Sequence, residues 1–172
     1  KARICLTRGI LEFVTVMKGG REHEAIFNTT CRSSNLHAAL LGIGLEPHSV
    51  ADGEYKDALK SKSRLKFEVE FEKDGRKRRI GAHKLLRNRE TDNGKTKNAW
   101  VCTGSFFTKH QGKSIYAADQ SDVVVSIIPE STAVILLAVE TGNPYDGDDF
   151  GIEARTEEIG DLGQEAVLIF SP

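Results

Sequence analysis

The sequence holds no apolar run approaching the ~20 residues that a membrane-crossing helix needs, so no helical span is expected. It has only three cysteines, Cys5, Cys31 and Cys102, spaced 26 and 71 residues apart. Neither interval has the close spacing of a zinc knuckle or an iron–sulfur run, which excludes both. All three lie among Ile, Leu, Thr and Val in strand-like segments and are expected as buried free thiols, with one disulfide as the alternative. No internal repeat or low-complexity tract is present. The chain opens on Lys1 rather than Met and carries no charged-then-apolar leader, so a processed start with a signal peptide removed is one expectation.

Catalytic and cofactor signatures are missing as well. Gly94-Lys95-Thr96 and Gly112-Lys113-Ser114 look like ends of a phosphate loop. The cradle needs a further glycine five residues earlier, and those positions are Arg89 and Phe107. No G-x-G-x-x-G occurs, which removes the main support for a dinucleotide fold. Gly104-Ser105-Phe106-Phe107 lacks the G-x-S-x-G frame that projects a hydrolase serine from a sharp elbow. His23-Glu24 begins a zincin helix motif, but Phe27 stands where the second histidine belongs. Asp146-Gly147-Asp148-Asp149 with Glu157 at the twelfth position resembles a calcium loop, but Phe150 takes the fifth position, where an oxygen ligand is required. A solvated acidic loop is expected there. No cofactor is expected.

What is present suits one globular domain over residues 1–172, with 39% hydrophobic and 28% charged residues. Charge is unevenly placed. Residues 56 to 97 carry 15 Lys or Arg against 7 Asp or Glu, a balance of +8, whereas residues 140 to 165 carry nine acids against Arg155, a balance of −8. Blocks of equal and opposite charge are expected to face each other. The basic run Arg76-Lys77-Arg78-Arg79 has no interleaved aromatics on which bases could stack. Nucleic-acid binding through residues 76 to 89 is the weakest functional alternative.

The strongest local pattern is the stretch from Arg64 to His83. Leu65, Phe67, Val69 and Phe71 alternate with Lys66, Glu68, Glu70 and Glu72, which predicts a strand with one wet face. Asp74-Gly75 supplies a two-residue turn with positive-φ chemistry, so Glu72 should pair with Lys77, Phe71 with Arg78, Glu70 with Arg79 and Val69 with Ile80. Further strands are expected over 3–7, 10–17, 25–30, 99–106, 122–128 and 165–170. A helix is expected from the caps Ser33-Ser34-Asn35 to Gly44, with Leu36, Leu40 and Ile43 on one face. Residues 131 to 139 are apolar all round and suit either a short buried helix or a strand. Strands dominate without βαβ alternation, so the expected class is α+β: a mainly antiparallel sheet with one or two short packed helices.

One polar cluster stands out. If residues 22 to 28 are extended, Glu22 and Glu24 share a face with His23 opposite, and His37 borders the apolar stripe of the helix. The expected contact is between Glu24 and His37, a carboxylate orienting an imidazole so that helix and sheet are pinned together. The alternative is a divalent metal held by His23, Glu24 and His37, giving a metal-binding protein or a metal-dependent enzyme.

The order of short motifs resembles the YdjY-like domain family of bacteria. The matching residues are Leu11-Glu12-Phe13, Glu22-His23-Glu24, His37-Ala38-Ala39-Leu40-Leu41 with Gly42 and Gly44, Trp100, Gly104-Ser105, Tyr116-Ala117-Ala118-Asp119 and the closing Val167 to Pro172. Ser121-Asp122 stands where the family favours Gly-Asp. The resemblance implies no catalytic mechanism. It implies a location outside the cytoplasm, and it singles out Glu12 beside Glu24 and His37. The candidate functional residues are therefore Glu12, Glu22, His23, Glu24 and His37. The expected function is a non-enzymatic binding or structural module whose partner is a protein or cell-envelope component.

Overall fold

The computed structural model describes residues 1–48, 55–91, 93–139 and 151–172. Its elements in chain order are β1 (Ala2–Ile4), β2 (Phe13–Met17), β3 (Ala25–Thr29), α1 (Ser33–Gly42), α2 (Tyr55–Ala58), β4 (Arg64–Lys73), β5 (Arg76–Gly81) and β6 (Leu86–Asn88). There follow β7 (Trp100–Cys102), β8 (Phe107–His110), β9 (Lys113–Tyr116), α3 (Ala117–Ser121), β10 (Val123–Ser126), β11 (Ile135–Leu137), β12 (Ile152–Ala154) and β13 (Glu165–Ser171). Single 3₁₀ turns occupy Glu22–Glu24, Ala82–Leu85 and Thr156–Glu158.

The β4–β5 hairpin has the register that its turn predicts, with Val69 opposite Ile80, Glu70 opposite Arg79, Phe71 opposite Arg78 and Glu72 opposite Lys77. Asp74 and Gly75 both take positive φ, at 52° and 70°. Phe67, Val69 and Phe71 are buried. The ion pairs run diagonally across the ladder, Lys77 to Glu70 at 2.7 Å and Arg79 to Glu68 at 2.8 Å.

The α+β expectation is corrected by how the sheet closes. Strands run in the order β13-β1-β3-β2-β10-β11-β7-β4, and β13 also pairs with β4 over six residue pairs from Ala166–Phe71 to Ser171–Lys66. Eight strands thus form a closed β-barrel, with β5 lying outside as a ninth strand on the edge of β4. The pairing is mostly antiparallel, with β2–β3 and β10–β11 parallel. Register partners share a face, and they trace one inward ring. Phe67 meets Phe170, Ala166 meets Ala2, and Ile4 meets Phe27. From Phe27 the ring passes through Thr15, Val125, Ile135 and Cys102, and Trp100 meets Leu65 back on β4. An eight-stranded barrel has an interior just wide enough for side chains, and here Phe27, Phe67 and Trp100, all fully buried, fill it.

The helices do not form a layer. Leu40 is buried and Leu36 packs partly buried against the core, so the expected Leu36–Leu40–Ile43 face holds for its first two residues, whereas Leu41 and, just past the end of α1, Ile43 are each 48% exposed. One turn, α2, covers the outer side of the barrel, where its Ala58 packs on Val101 and Leu136. Within residues 131–139, Ile135–Leu137 form strand β11. They read as apolar all round because Ile135 and Leu137 point inward while Leu136 lies in this outer cluster. No helix among the described residues is long and apolar enough to cross a membrane.

Opposite charges do face each other across the described part of the two blocks. Arg78 pairs with Glu158, and Arg87 pairs with Glu157 at 2.6 Å and with Glu153 at 3.5 Å. Asp146 to Asp149 lie outside the described residues. All three cysteines are free thiols, but only Cys102 is buried; Cys5 is half-buried and Cys31 is exposed, which corrects the expectation of three buried thiols. Burial pushes the Cys5 thiol up to about 12 and the Cys102 thiol up to about 11, so neither is a ready nucleophile.

Candidate functional site

The five candidate residues separate into two places. Residues 22–24 form a 3₁₀ turn, not the expected strand, because Gly19-Gly20 turns the chain and the Glu22 carboxylate accepts the Gly19 N–H at 2.7 Å. His23 is exposed and lies 3.4 Å from Glu24. Glu12 sits alongside, its N–H donating to the Glu24 carbonyl at 3.2 Å. Burial pushes the Glu12 carboxyl above its ordinary range, the Glu24 carboxylate pushes it further, and Arg21 and His23 pull it back.

This pair sets a sign. A carboxyl raised above its unfolded value of 4.5 contributes its full stability below that value and loses it as pH rises through the folded value. Glu12→Gln should therefore raise the melting temperature near neutral pH, with the gain vanishing below pH 4.5. Equal gains at both pH values would show that the Glu12 charge is not the cause.

His37 meets different partners from the one expected. Its Nδ1 lies 2.6 Å from the Tyr116 hydroxyl, and that hydroxyl accepts the Ser105 N–H at 3.0 Å. With the backbone donor fixed, the phenol proton is free to be donated to Nδ1, which leaves the other ring proton on Nε2. Burial pushes the imidazole below its ordinary value, so it is neutral near pH 7. Nε2 is buried without a hydrogen-bond partner among the described residues and is set against Gly104. Gly104 takes φ of +62°, and a Cβ there would meet Pro47 at 2.9 Å and His37 Nε2 at 3.0 Å. Only glycine fits this position.

Two further bonds complete the cluster. Ser105 Oγ accepts the Ala118 N–H at 3.1 Å, tying the loop after β7 to α3. Asp119 accepts the Ser34 N–H at 2.9 Å and the Ser34 hydroxyl at 2.6 Å. The first turn of α1 is thus satisfied by a carboxylate 85 residues away, whereas the flanking Arg32 makes no side-chain cap. Just beyond the cluster, Phe106 is 49% and Phe107 72% exposed, and the Phe107 ring packs edge-on against Tyr116 at 5.4 Å.

Ser105 Oγ bonds to the Ala118 N–H and not to His37 among the described residues, and the imidazole Nε2 faces Gly104. The expected Glu24–His37 contact is replaced by Tyr116–His37 and Glu24–His23. Among the described residues no three His, Cys, Asp or Glu side chains converge on a metal position, so the His23–Glu24–His37 alternative has no geometry behind it. Tyr116, Ser105, Asp119, Gly104 and the two phenylalanines carry the site, and sequence reasoning assigned them no role. The adjacent Phe106-Phe107, straight after a Gly-Ser loop, was the available signal.

The class these features define is a small, filled β-barrel with an external hydrogen-bonded cluster that holds a hairpin on its surface. The chain belongs to the YdjY domain family, whose model matches residues 3–170. No curated protein and no solved structure was found to match.

Proposed function

We propose that the protein is a non-enzymatic binding module that docks an extended segment of a partner protein on the β8–β9 hairpin. The observation that carries this reading is the exposure of Phe106 and Phe107 beside the Tyr116–His37 cluster. Phenylalanine is usually buried, and aromatic residues are enriched in protein interfaces. Leu41, one helical turn beyond His37, is exposed as well. β8 and β9 form a two-stranded sheet, so β8 keeps one backbone edge unpaired among the described residues. Such an edge accepts an added strand, and neighbouring side chains supply selectivity. A filled barrel interior favours a surface site over an internal ligand.

The test is photo-crosslinking in the producing cells with benzoylphenylalanine at position 107. A discrete protein adduct is expected there, lost on Phe106→Ser and absent when the probe is placed at the exposed Lys60. No adduct at 107, or equal adducts at both positions, would refute the docking surface. Export from the cytoplasm is proposed on the family resemblance. An alkaline phosphatase fusion to the natural gene product should then be active, and an inactive fusion would reject it.

A further inference from the structure

On another side of the molecule the outer strand β5, the turn Ala82–Leu85, Leu86, the segment 95–96, Arg155 and Glu158 line an open pocket of about 330 Å³. That volume is at the small end of ligand sites. Its charged lining is Arg78, Lys84, Lys95 and Arg155 against Glu158 alone. Arg78 is answered by Glu158, and Arg155 donates from Nη2 to the Gly94 carbonyl at 2.6 Å. Lys84 and Lys95 have no ion pair among the described residues. Two polar atoms at the pocket, Arg155 Nε and His83 Nδ1, are buried without a hydrogen-bond partner among the described residues; Arg155 Nε has only a long ion-pair contact with Glu157 at 3.9 Å. Ile80 and the buried Leu86 add an apolar wall.

A pocket that holds two lysines without an ion pair and a buried arginine Nε without a hydrogen bond, beside an apolar wall, suits a ligand of negative charge. We propose that it binds a small organic oxyanion, a carboxylate or phosphate ester with a short apolar body. The head group is held by Lys84, Lys95 and Arg155, and the body lies on Ile80 and Leu86. Charge-assisted bonds from lysine and arginine to an oxyanion are the strong class of hydrogen bond. His83 reports on the site. Burial, and then the Lys84 charge, hold its imidazole below the ordinary value. Arg78, Lys95, Arg155 and Glu158 are the other charged groups lining the pocket with it. An anion bound among them favours the imidazolium, so its pKa must rise on binding.

The experiment is an amide and imidazole NMR titration of the intact chain with hexyl phosphate, hexanoate, inorganic phosphate and hexyltrimethylammonium. Saturable shifts are expected at Ile80, His83, Lys84 and Lys95 with hexyl phosphate or hexanoate, and the tighter of the two identifies the head group. Inorganic phosphate should bind more weakly, and the cation of equal length should not bind. Replacing Lys84 and Lys95 together by methionine keeps the stems and should weaken binding about tenfold or more. The His83 imidazole should titrate at higher pH in the ligand-bound protein. No saturable shift, equal response to the cation, or an unchanged affinity in the double variant would overturn the proposal.

Discussion

Phe67→Ala should destabilise the protein by about 3–5 kcal/mol, the range for losing a fully buried aromatic side chain. Phe67 is completely buried, with the Trp100 ring edge-on at 5.3 Å and the Phe170 ring stacked at 4.6 Å. These three residues come from β7, β4 and β13, the strands at which the barrel shuts. β4 meets β7 through only two residue pairs, Arg64–Val101 and Leu65–Trp100, so the aromatic contact inside supports a short seam. For a chain of this size the loss corresponds to roughly 6–20 °C in melting temperature. Val167→Ala is the matched control. Val167 lies on β13 but on the outer face, 39% exposed, and should stay within about 0.5–1 kcal/mol of the parent. Similar losses for the two variants, measured by denaturant unfolding, would mean that the inward ring has been assigned to the wrong face.

The seam also shows where sequence reasoning stops. Alternation of Leu65, Phe67, Val69 and Phe71 reveals which face of β4 is apolar, and Asp74-Gly75 reveals its neighbour on one edge, because a two-residue turn leaves no other register. Nothing local identifies β13 as the neighbour on the other edge, almost a hundred residues away. Closure was therefore invisible, and an open sheet backed by helices was the natural expectation. The segment 131–139 was ambiguous for a related reason. A strand buried on both faces has no polar period, so it cannot be told from a buried helix until α2 is seen covering Leu136. At the site, the helix and its histidine were legible from spacing, although Ser33, Ser34 and Asn35 lie inside the helix and do not cap it. The partner was not, since Tyr116 lies 79 residues from His37. Charge was legible at the level of blocks, and Arg78–Glu158 and Arg87–Glu157 fulfil it. The 3₁₀ turn at Glu22 was missed because a side-chain bond to Gly19 outweighs the extended tendency of three alternating polar residues.

Gly104→Ala should have the second large effect, and it joins the fold to the proposed docking surface. A non-glycine residue at φ of +62° costs about 1–2 kcal/mol in backbone strain. The added methyl must also displace Pro47 and the His37 ring, for a total of about 2–4 kcal/mol. These two parts can be separated with a second substitution. His37→Ala alone removes the bond to Tyr116, a loss of about 1–2 kcal/mol. In the Gly104→Ala background it also makes room for the new methyl, so the double variant should be more stable than the sum of the two losses predicts. Neighbouring residues that share a steric contact show coupling of about 0.5–3 kcal/mol, whereas independent sites add to within about 0.3–0.5 kcal/mol. Additive losses would show that the His37 ring does not wall in Gly104. Crosslinking at position 107 carries the argument to function. Ser105, Phe106 and Phe107 follow Gly104 directly, and the Phe107 ring rests on Tyr116, so displacing His37 from Tyr116 should loosen the presented pair. The adduct should fall in Gly104→Ala measured at a temperature where the variant remains folded. If it persists undiminished while stability drops, the cluster holds the fold together without aiming the hairpin.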